Sequence, residues 1–152
     1  GSTVIHSTGA WALLAAILVI GSRRGRYKNG KIKMIPASNI PLVTLGAFML
    51  WIGWFGFNGG SVGSISSKEN ADIVALTIMN TNTAGLAGGL IVMILSYISY
   101  KKFDITMMLN GALGGLVAIT AGADVVSIYA PIAIGAIGGA LVFYAVPFFD
   151  KL

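Results

Sequence analysis

No cysteine occurs among the 152 residues, which excludes a disulfide framework and any thiolate metal centre and leaves the redox compartment unread. Histidine occurs once and acidic residues only five times. A single imidazole excludes the H-E-x-x-H metalloprotease helix, and neither a G-x-x-x-x-G-K-S/T phosphate loop nor a nucleophile elbow is present. The five carboxylates fall in loops or at the ends of apolar stretches, so paired-carboxylate catalysis has no support. The chain reads as a non-enzyme, with no cofactor and no metal site expected. Charge is scarce overall: 10% of residues are charged and 56% hydrophobic, against roughly 25% charged in an ordinary soluble domain. These proportions describe a membrane protein. The chain begins at Gly1 without methionine, and no basic leader precedes its first apolar stretch, so no signal peptide is read. A piece of a longer chain is expected, and Gly1-Ser2 fits a cloning remnant.

What is abundant is long apolar sequence. A bilayer core of about 30 Å needs ~17 to 25 apolar residues per helix, and five stretches qualify, at about residues 4–21, 39–58, 71–100, 105–121 and 125–148. Asn39 is a plausible N-cap for the second, with Pro41 in its first turn. Ser66-Ser67-Lys68-Glu69 before the third has capping-box spacing. Long unbroken runs, without alternation, argue for helices and against a barrel. The fold class is therefore all-α, a polytopic membrane helix bundle.

Nine of the ten basic residues share one side of that bundle. Arg23, Arg24, Arg26, Lys28, Lys31 and Lys33 lie in the first connection, Lys101 and Lys102 in the third, and Lys151 at the end. By the positive-inside rule the chain starts outside and ends in the cytoplasm. The basic loop also suits acidic lipid headgroups. Nucleic acid is not an expected partner. Three Gly-x-x-x-Gly pairs, Gly85/Gly89, Gly111/Gly115 and Gly135/Gly139, mark the last three helices for close packing.

Trp51 to Ser61 reads W-I-G-W-F-G-F-N-G-G-S, which suits a port where a small cation sheds water. Aromatic faces supply ~0.5 to 2 kcal/mol each to a cation, and a hydroxyl adds an acceptor. A membrane-interface aromatic belt followed by a Gly-rich turn explains the same residues without a ligand. His6, flanked by Thr3, Ser7 and Thr8, is either an interfacial imidazole or a group facing a transport cavity. Asn80, Thr81, Asn82, Thr83 and Thr120 read first as interhelical hydrogen-bonding groups.

Five ordered motifs resemble the ammonium transporter (Amt/Mep/Rh) family. Gly1 to Ala10 with His6, followed by Ile20-Gly21-Ser22-Arg23-Arg24, resembles its signature helix. Asn39-Ile40-Pro41 after Pro36 resembles the start of the next. Gly53 to Ser61 resembles G-W-F-G-F-N-x-G-S, Met79-Asn80-Thr81 resembles V-N-T, and Leu109 to Thr120 resembles N-G-x-L-x-G-L-V-x-I-T. The resemblance spans nearly the whole chain. It implies an inverted-repeat transporter fold of which this chain covers the fifth to ninth of about eleven spanning helices.

The resemblance also implies that Phe57 is the inner of two gating phenylalanines and Ser61 the hydroxyl of the external ammonium-recruitment site. His6 is then the first of two pore histidines, with Trp54 and Thr120 lining the pore. The second histidine and the partners of the recruitment site belong to helices not in this sequence, so the segment alone lacks a complete path. Ammonium or ammonia is the implied substrate. A homotrimer, a PII-type regulator at the cytoplasmic face and a bacterial or archaeal inner membrane are the implied setting. An ammonium-sensing membrane module of a signalling protein is the alternative.

Overall fold

In a bilayer every backbone polar group must be satisfied within the protein, which makes the apolar stretches helical. The computed structural model describes residues 2–28 and 30–151; Gly1, at the head of the first motif, lies outside them. Five helices follow in order: α1 Ser2–Ile20, α2 Ile40–Gly60, α3 Lys68–Tyr100, α4 Ile105–Ile119 and α5 Ala130–Phe149. Four of them are long and apolar enough to span a membrane. The fourth is the exception. With 15 residues and a rise of about 1.5 Å each, α4 reaches only about 22 Å.

Local chemistry sets the boundaries. The Asn39 side chain accepts from the Leu42 N–H at 2.9 Å, and Pro41 occupies the first turn of α2. At α3 the cap is Ser67, which accepts from Asn70 N–H at 3.2 Å, while Ser66 pairs with Ser64. The capping signal was therefore in the right place but one residue early. The segment from 121 to 129, expected partly in the fifth helix, is a run of turns instead. Pro131 explains this: its ring would clash with the carbonyl four residues back and it offers no N–H, so it is accommodated only in the first turn of α5.

Asp104 caps α4 with three hydrogen bonds, from Thr106 N–H at 2.9 Å, Met107 N–H at 3.1 Å and the Thr106 hydroxyl at 2.7 Å. Burial works against its charge, but these donors win and hold the carboxyl below the usual carboxylate range. Its contribution is thus present above the ordinary carboxylate pKa and lost as pH falls through the depressed value. Asp104→Ala is expected to cost about 1 kcal/mol. In thermal unfolding of the full-length protein at stepped pH, the difference between wild type and Asp104→Ala should hold at neutral pH and shrink below about pH 4.

The basic connection, expected as a plain loop, holds a hairpin whose sequence signal is the Asn29-Gly30 dipeptide. Tyr27–Lys28 (β1) and Lys31–Ile32 (β2) form a two-stranded antiparallel ladder, with Tyr27 opposite Ile32 and Lys28 opposite Lys31. Gly30, at φ +71°, turns the chain back. Arg26 forms an ion pair with Asp150, and the Tyr27 hydroxyl donates to the Asp150 carbonyl at 3.2 Å. The hairpin is thereby fastened to the end of α5.

Helices α3, α4 and α5 form the tight centre, around fully buried Val92, Leu116 and Ile119 and with Ala84 wholly enclosed. Glycine backbones make this approach possible, because a side-chain carbon at Gly115 or at Gly135 would lie 2.2 Å from the same Ala84 carbonyl oxygen. Helix α2 leans on α3 and α4, its Trp51 ring resting against Gly85. Helix α1 stands outside the centre, with Trp11 69% and Leu18 77% exposed. Such a continuous apolar surface is not tolerated by water and belongs against lipid or further helices.

Candidate functional site

The site forms where α1, α2 and the end of α4 meet. Trp54 and Phe57 stand three residues apart on α2, so one helical turn places both rings on one face. His6 comes to that face from α1. Its ring lies nearly parallel to Trp54, with centroids 5.6 Å apart and planes 4° from coplanar. Phe57 meets His6 edge-on at 5.9 Å and Trp54 edge-on at 6.3 Å. These are the offset-stacked and T-shaped arrangements that ring quadrupoles favour.

Trp54 is fixed from behind. Its indole N–H donates to the Thr120 hydroxyl at 2.8 Å, and that hydroxyl in turn donates to the Leu116 carbonyl. Thr120 is the C-cap of α4, so the ring cluster is tied to the central three helices. Ser61, the C-cap of α2, donates its proton to the Phe57 carbonyl at 2.6 Å, one turn beyond the rings. Of the residues the motifs single out, His6, Trp54 and Phe57 are in mutual contact. Thr120 touches them through Trp54, and Ser61 is joined to the backbone of Phe57.

Two cavities flank the cluster. One, of about 540 Å³, is lined by Ile5, His6, Met49, Leu50, Trp54 and Phe57 among others and is almost wholly apolar. The other, of about 310 Å³, runs from Phe57 past Asn58 and Ser61 to Thr77, Thr120 and Asp124. Phe57 borders both. The apolar side can hold a small neutral molecule but no bare charge, and the polar side can hold a charge.

Sequence reasoning singled out Ser61 and Thr120 on the polar side and passed over Asn58, Thr77 and Asp124. Asn58 is 4% exposed and donates to the Thr81 hydroxyl at 2.9 Å. Its place inside the W-F-G-F-N run was the available signal. Thr81 of α3 does make the interhelical hydrogen bond read from it, with Asn58 of α2, whereas Asn80 reaches the carbonyls of Ala123 and Val126, at 2.9 and 3.1 Å, in the turns between α4 and α5 and not on a helix. Thr83 bonds instead within its own helix, to Met79.

The family described as the Ammonium Transporter Family matches residues 1–152. The chain belongs to that family. Ammonium transporter Amt2 of Archaeoglobus fulgidus is 38% identical over 152 residues, which cover 99% of this chain and 32% of the relative. Ammonium transporter Amt2 of Methanocaldococcus jannaschii is 40% identical over 139 residues, covering 91% of this chain and 31% of that protein. Among solved structures, a sensor Amt protein superposes with a TM-score of 0.92 at 40% identity, over 99% of this chain and 36% of that one. A double mutant of Mep2 from Candida albicans superposes with a TM-score of 0.87 at 30% identity, over 100% of this chain and 33% of that one. The chain thus spans about a third of the length of these relatives. It is a multi-pass membrane segment of an ammonium transporter fold, and among the described residues its regular elements are helices apart from the short basic hairpin.

Proposed function

We propose that the intact protein carrying this segment moves ammonium across the membrane, taking up the cation at an outer mouth near Ser61 and passing neutral ammonia beyond Phe57. The observation that carries this reading is the ring cluster of His6, Trp54 and Phe57, bordering an apolar cavity on one side and a polar one on the other. The cost of charge supplies the mechanism. An ammonium ion taken into hydrocarbon faces a Born penalty on the order of 20 kcal/mol before compensation, and no side chain of the apolar cavity carries a compensating negative charge.

Shedding a proton near Phe57 removes that penalty. Ammonia then meets His6, whose imidazole can accept on one nitrogen and donate from the other. Trp54, locked by Thr120, holds the imidazole flat against its face. Passage of the proton by a separate route makes the net transport electrogenic. The start of the chain faces outward and the basic hairpin faces the cytoplasm of a bacterial or archaeal cell, in a homotrimer whose cytoplasmic face meets a PII-type regulator.

In the full-length protein, His6→Ala is expected to abolish ammonium-evoked current on solid-supported membranes, and an unchanged current overturns the assignment. A second reading rests on the sensor Amt protein among the similar structures: the same bundle serves as an ammonium sensor. Ammonium binding without any ammonium-evoked current in the wild type would select it.

A further inference from the structure

The basic end of the bundle does not neutralise itself. Nine of the ten basic residues lie there with two carboxylates, Asp104 and Asp150. Both are engaged, Asp104 by the backbone donors at the start of α4 and Asp150 by Arg26. Lys28, Lys31 and Lys33 of the hairpin are exposed and make no ion pair among the described residues. Lys28 and Lys31 stand directly opposite each other on the ladder, a like-charge pair that works against the hairpin unless negative charge is brought to it.

Orienting a chain in a membrane needs only the number of such charges, in a loop of any shape. Here they are arranged. Side chains alternate across a strand, so Lys28 and Lys31 share one face of the ladder, with Lys33 returning to it, and Tyr27 and Ile32 share the other. Tyr27 is 46% and Ile32 40% exposed, which gives the hairpin an apolar side beside a cationic one. Its depth is fixed as well. The Arg26–Asp150 ion pair and the Tyr27 hydroxyl fasten it to the residue that follows Phe148 and Phe149. Those two rings are exposed, as are Tyr97 and Tyr100 at the same end of α3, and exposed aromatics at helix ends mark the headgroup level of a bilayer.

We infer that the hairpin from Arg26 to Lys33 is a docking element for acidic phospholipid headgroups, those of the leaflet that this end of the bundle meets. Tyr27 and Ile32 rest at the acyl boundary, while the lysine stems bend to bring their ammonium groups to the phosphates. An apolar side held at the bilayer edge matches lipid better than it matches an acidic protein arriving from water. The inference assumes neither transport nor sensing. It does bear on both, because the hairpin directly follows α1. Docking it steadies the helix that carries His6 and that stands outside the packed centre.

The test places the full-length protein in phosphatidylcholine nanodiscs with increasing phosphatidylglycerol and reads amide hydrogen exchange in peptides spanning residues 24–34. Phosphatidylglycerol should slow exchange there, and high salt should reverse the effect. Each lysine near the surface adds about fivefold to the attraction. Lys31→Gln should therefore raise the phosphatidylglycerol content that gives half-maximal protection about fivefold. Lys28→Gln, Lys31→Gln and Lys33→Gln together should abolish protection, and the corresponding three arginine substitutions should keep it. Arg26 and Asp150 stay in place, and losing the like-charge pair does not loosen the hairpin, so exchange in pure phosphatidylcholine should be no faster in any variant. If it is faster in the triple glutamine variant, Lys31→Gln and the salt titration decide alone. Exchange indifferent to phosphatidylglycerol, or protection that survives the glutamine substitutions, overturns the inference. Equal protection by soluble glycerol phosphate overturns it in favour of a free-phosphate site. Protection by a purified PII-type protein and not by phosphatidylglycerol overturns it in favour of a protein partner.

Discussion

Gly135→Val is expected to leave no correctly folded protein in the membrane. A carbon added at Gly135 would lie 2.2 Å from the Ala84 carbonyl oxygen and 2.7 Å from its carbonyl carbon and Cα. These are backbone atoms of a buried helix, so no flexible side chain can give way. Gly115 presses on the same oxygen from α4, again at 2.2 Å, so α3 cannot retreat from α5 without driving into α4. Even Gly135→Ala should cost about 3 kcal/mol, the upper end of the usual overpacking penalty. Valine adds two more methyl groups to the same clash.

Gly89→Ala provides the contrast. Its nearest neighbour would be the Ala112 Cβ at 3.5 Å, an ordinary contact, and alanine gains about 1 kcal/mol in helix propensity. In size-exclusion profiles of fluorescently tagged full-length protein, Gly89→Ala should give a wild-type peak and Gly135→Val only aggregate. A monodisperse Gly135→Val peak would show that α3, α4 and α5 do not pack through the Ala84 carbonyl.

This contrast also marks how far the sequence could be read. The Gly-x-x-x-Gly spacings correctly identified α3, α4 and α5 as the closely packed helices. On α3, however, the glycine at closest approach is Gly88, whose added carbon would meet the Gly111 oxygen at 2.4 Å, and not Gly89 of the visible pair. The reason is rotational. The stretch of α3 over residues 84–95 is apolar on all sides and carries no polar face to fix its orientation, so the seam through Ala84, Gly88 and Val92 was indistinguishable from that through Gly85 and Gly89. The latter turns toward α2 and α4, with Gly85 under Trp51.

Helix ends were legible wherever a short polar side chain or a proline stood beside an apolar run, as at Asn39 and Ser67. The start of α5 was misplaced by five residues because the apolar pattern continues through Val125 and Val126, and only Pro131 signals the break. The hairpin at Tyr27–Ile32 was missed although Asn29-Gly30 between its strands is the dipeptide favoured in two-residue hairpin turns, because two-residue strands leave no periodicity beside it.

The candidate site divides in the same way. Composition and spacing isolated the aromatic run on α2 and the lone imidazole on α1 as separate features. Only the family resemblance joined them in advance, since His6 and Trp54 are far apart in sequence and no local pattern encodes their stacking. The polar cavity was out of reach of the sequence, because Thr77 of α3 and Asp124 of the turns after α4 come beside Asn58 and Ser61 only in the fold.

Asn80→Leu should be the most damaging polar substitution in the chain, and for a reason distinct from packing. The Asn80 amide, 1% exposed, donates to two carbonyls of the turn between α4 and α5, those of Ala123 and Val126. Carbonyls within a helix have partners in their own ladder, but these two lie in a run of turns and depend on the side chain. Removing the amide loses two hydrogen bonds and strands both oxygens, a cost of about 2 to 3 kcal/mol. Hydrogen bonds between spanning helices average only about 0.6 kcal/mol, so the stranded turn carbonyls supply most of the effect.

Asn80→Asp separates this account from a simple loss of volume. A carboxylate of nearly the same size would place negative charge against two carbonyl oxygens and should unfold at lower temperature than Asn80→Leu at neutral pH. Protonation restores one donor, so its melting temperature relative to Asn80→Leu should rise as pH falls. Because the same turn carries Ala123 and Asp124 and follows Thr120, both variants should also weaken ammonium binding where folded protein survives. Thermal unfolding of the full-length variants between neutral and mildly acidic pH measures the difference directly. Parallel pH profiles for Asn80→Asp and Asn80→Leu would mean that the amide is not what holds the turn.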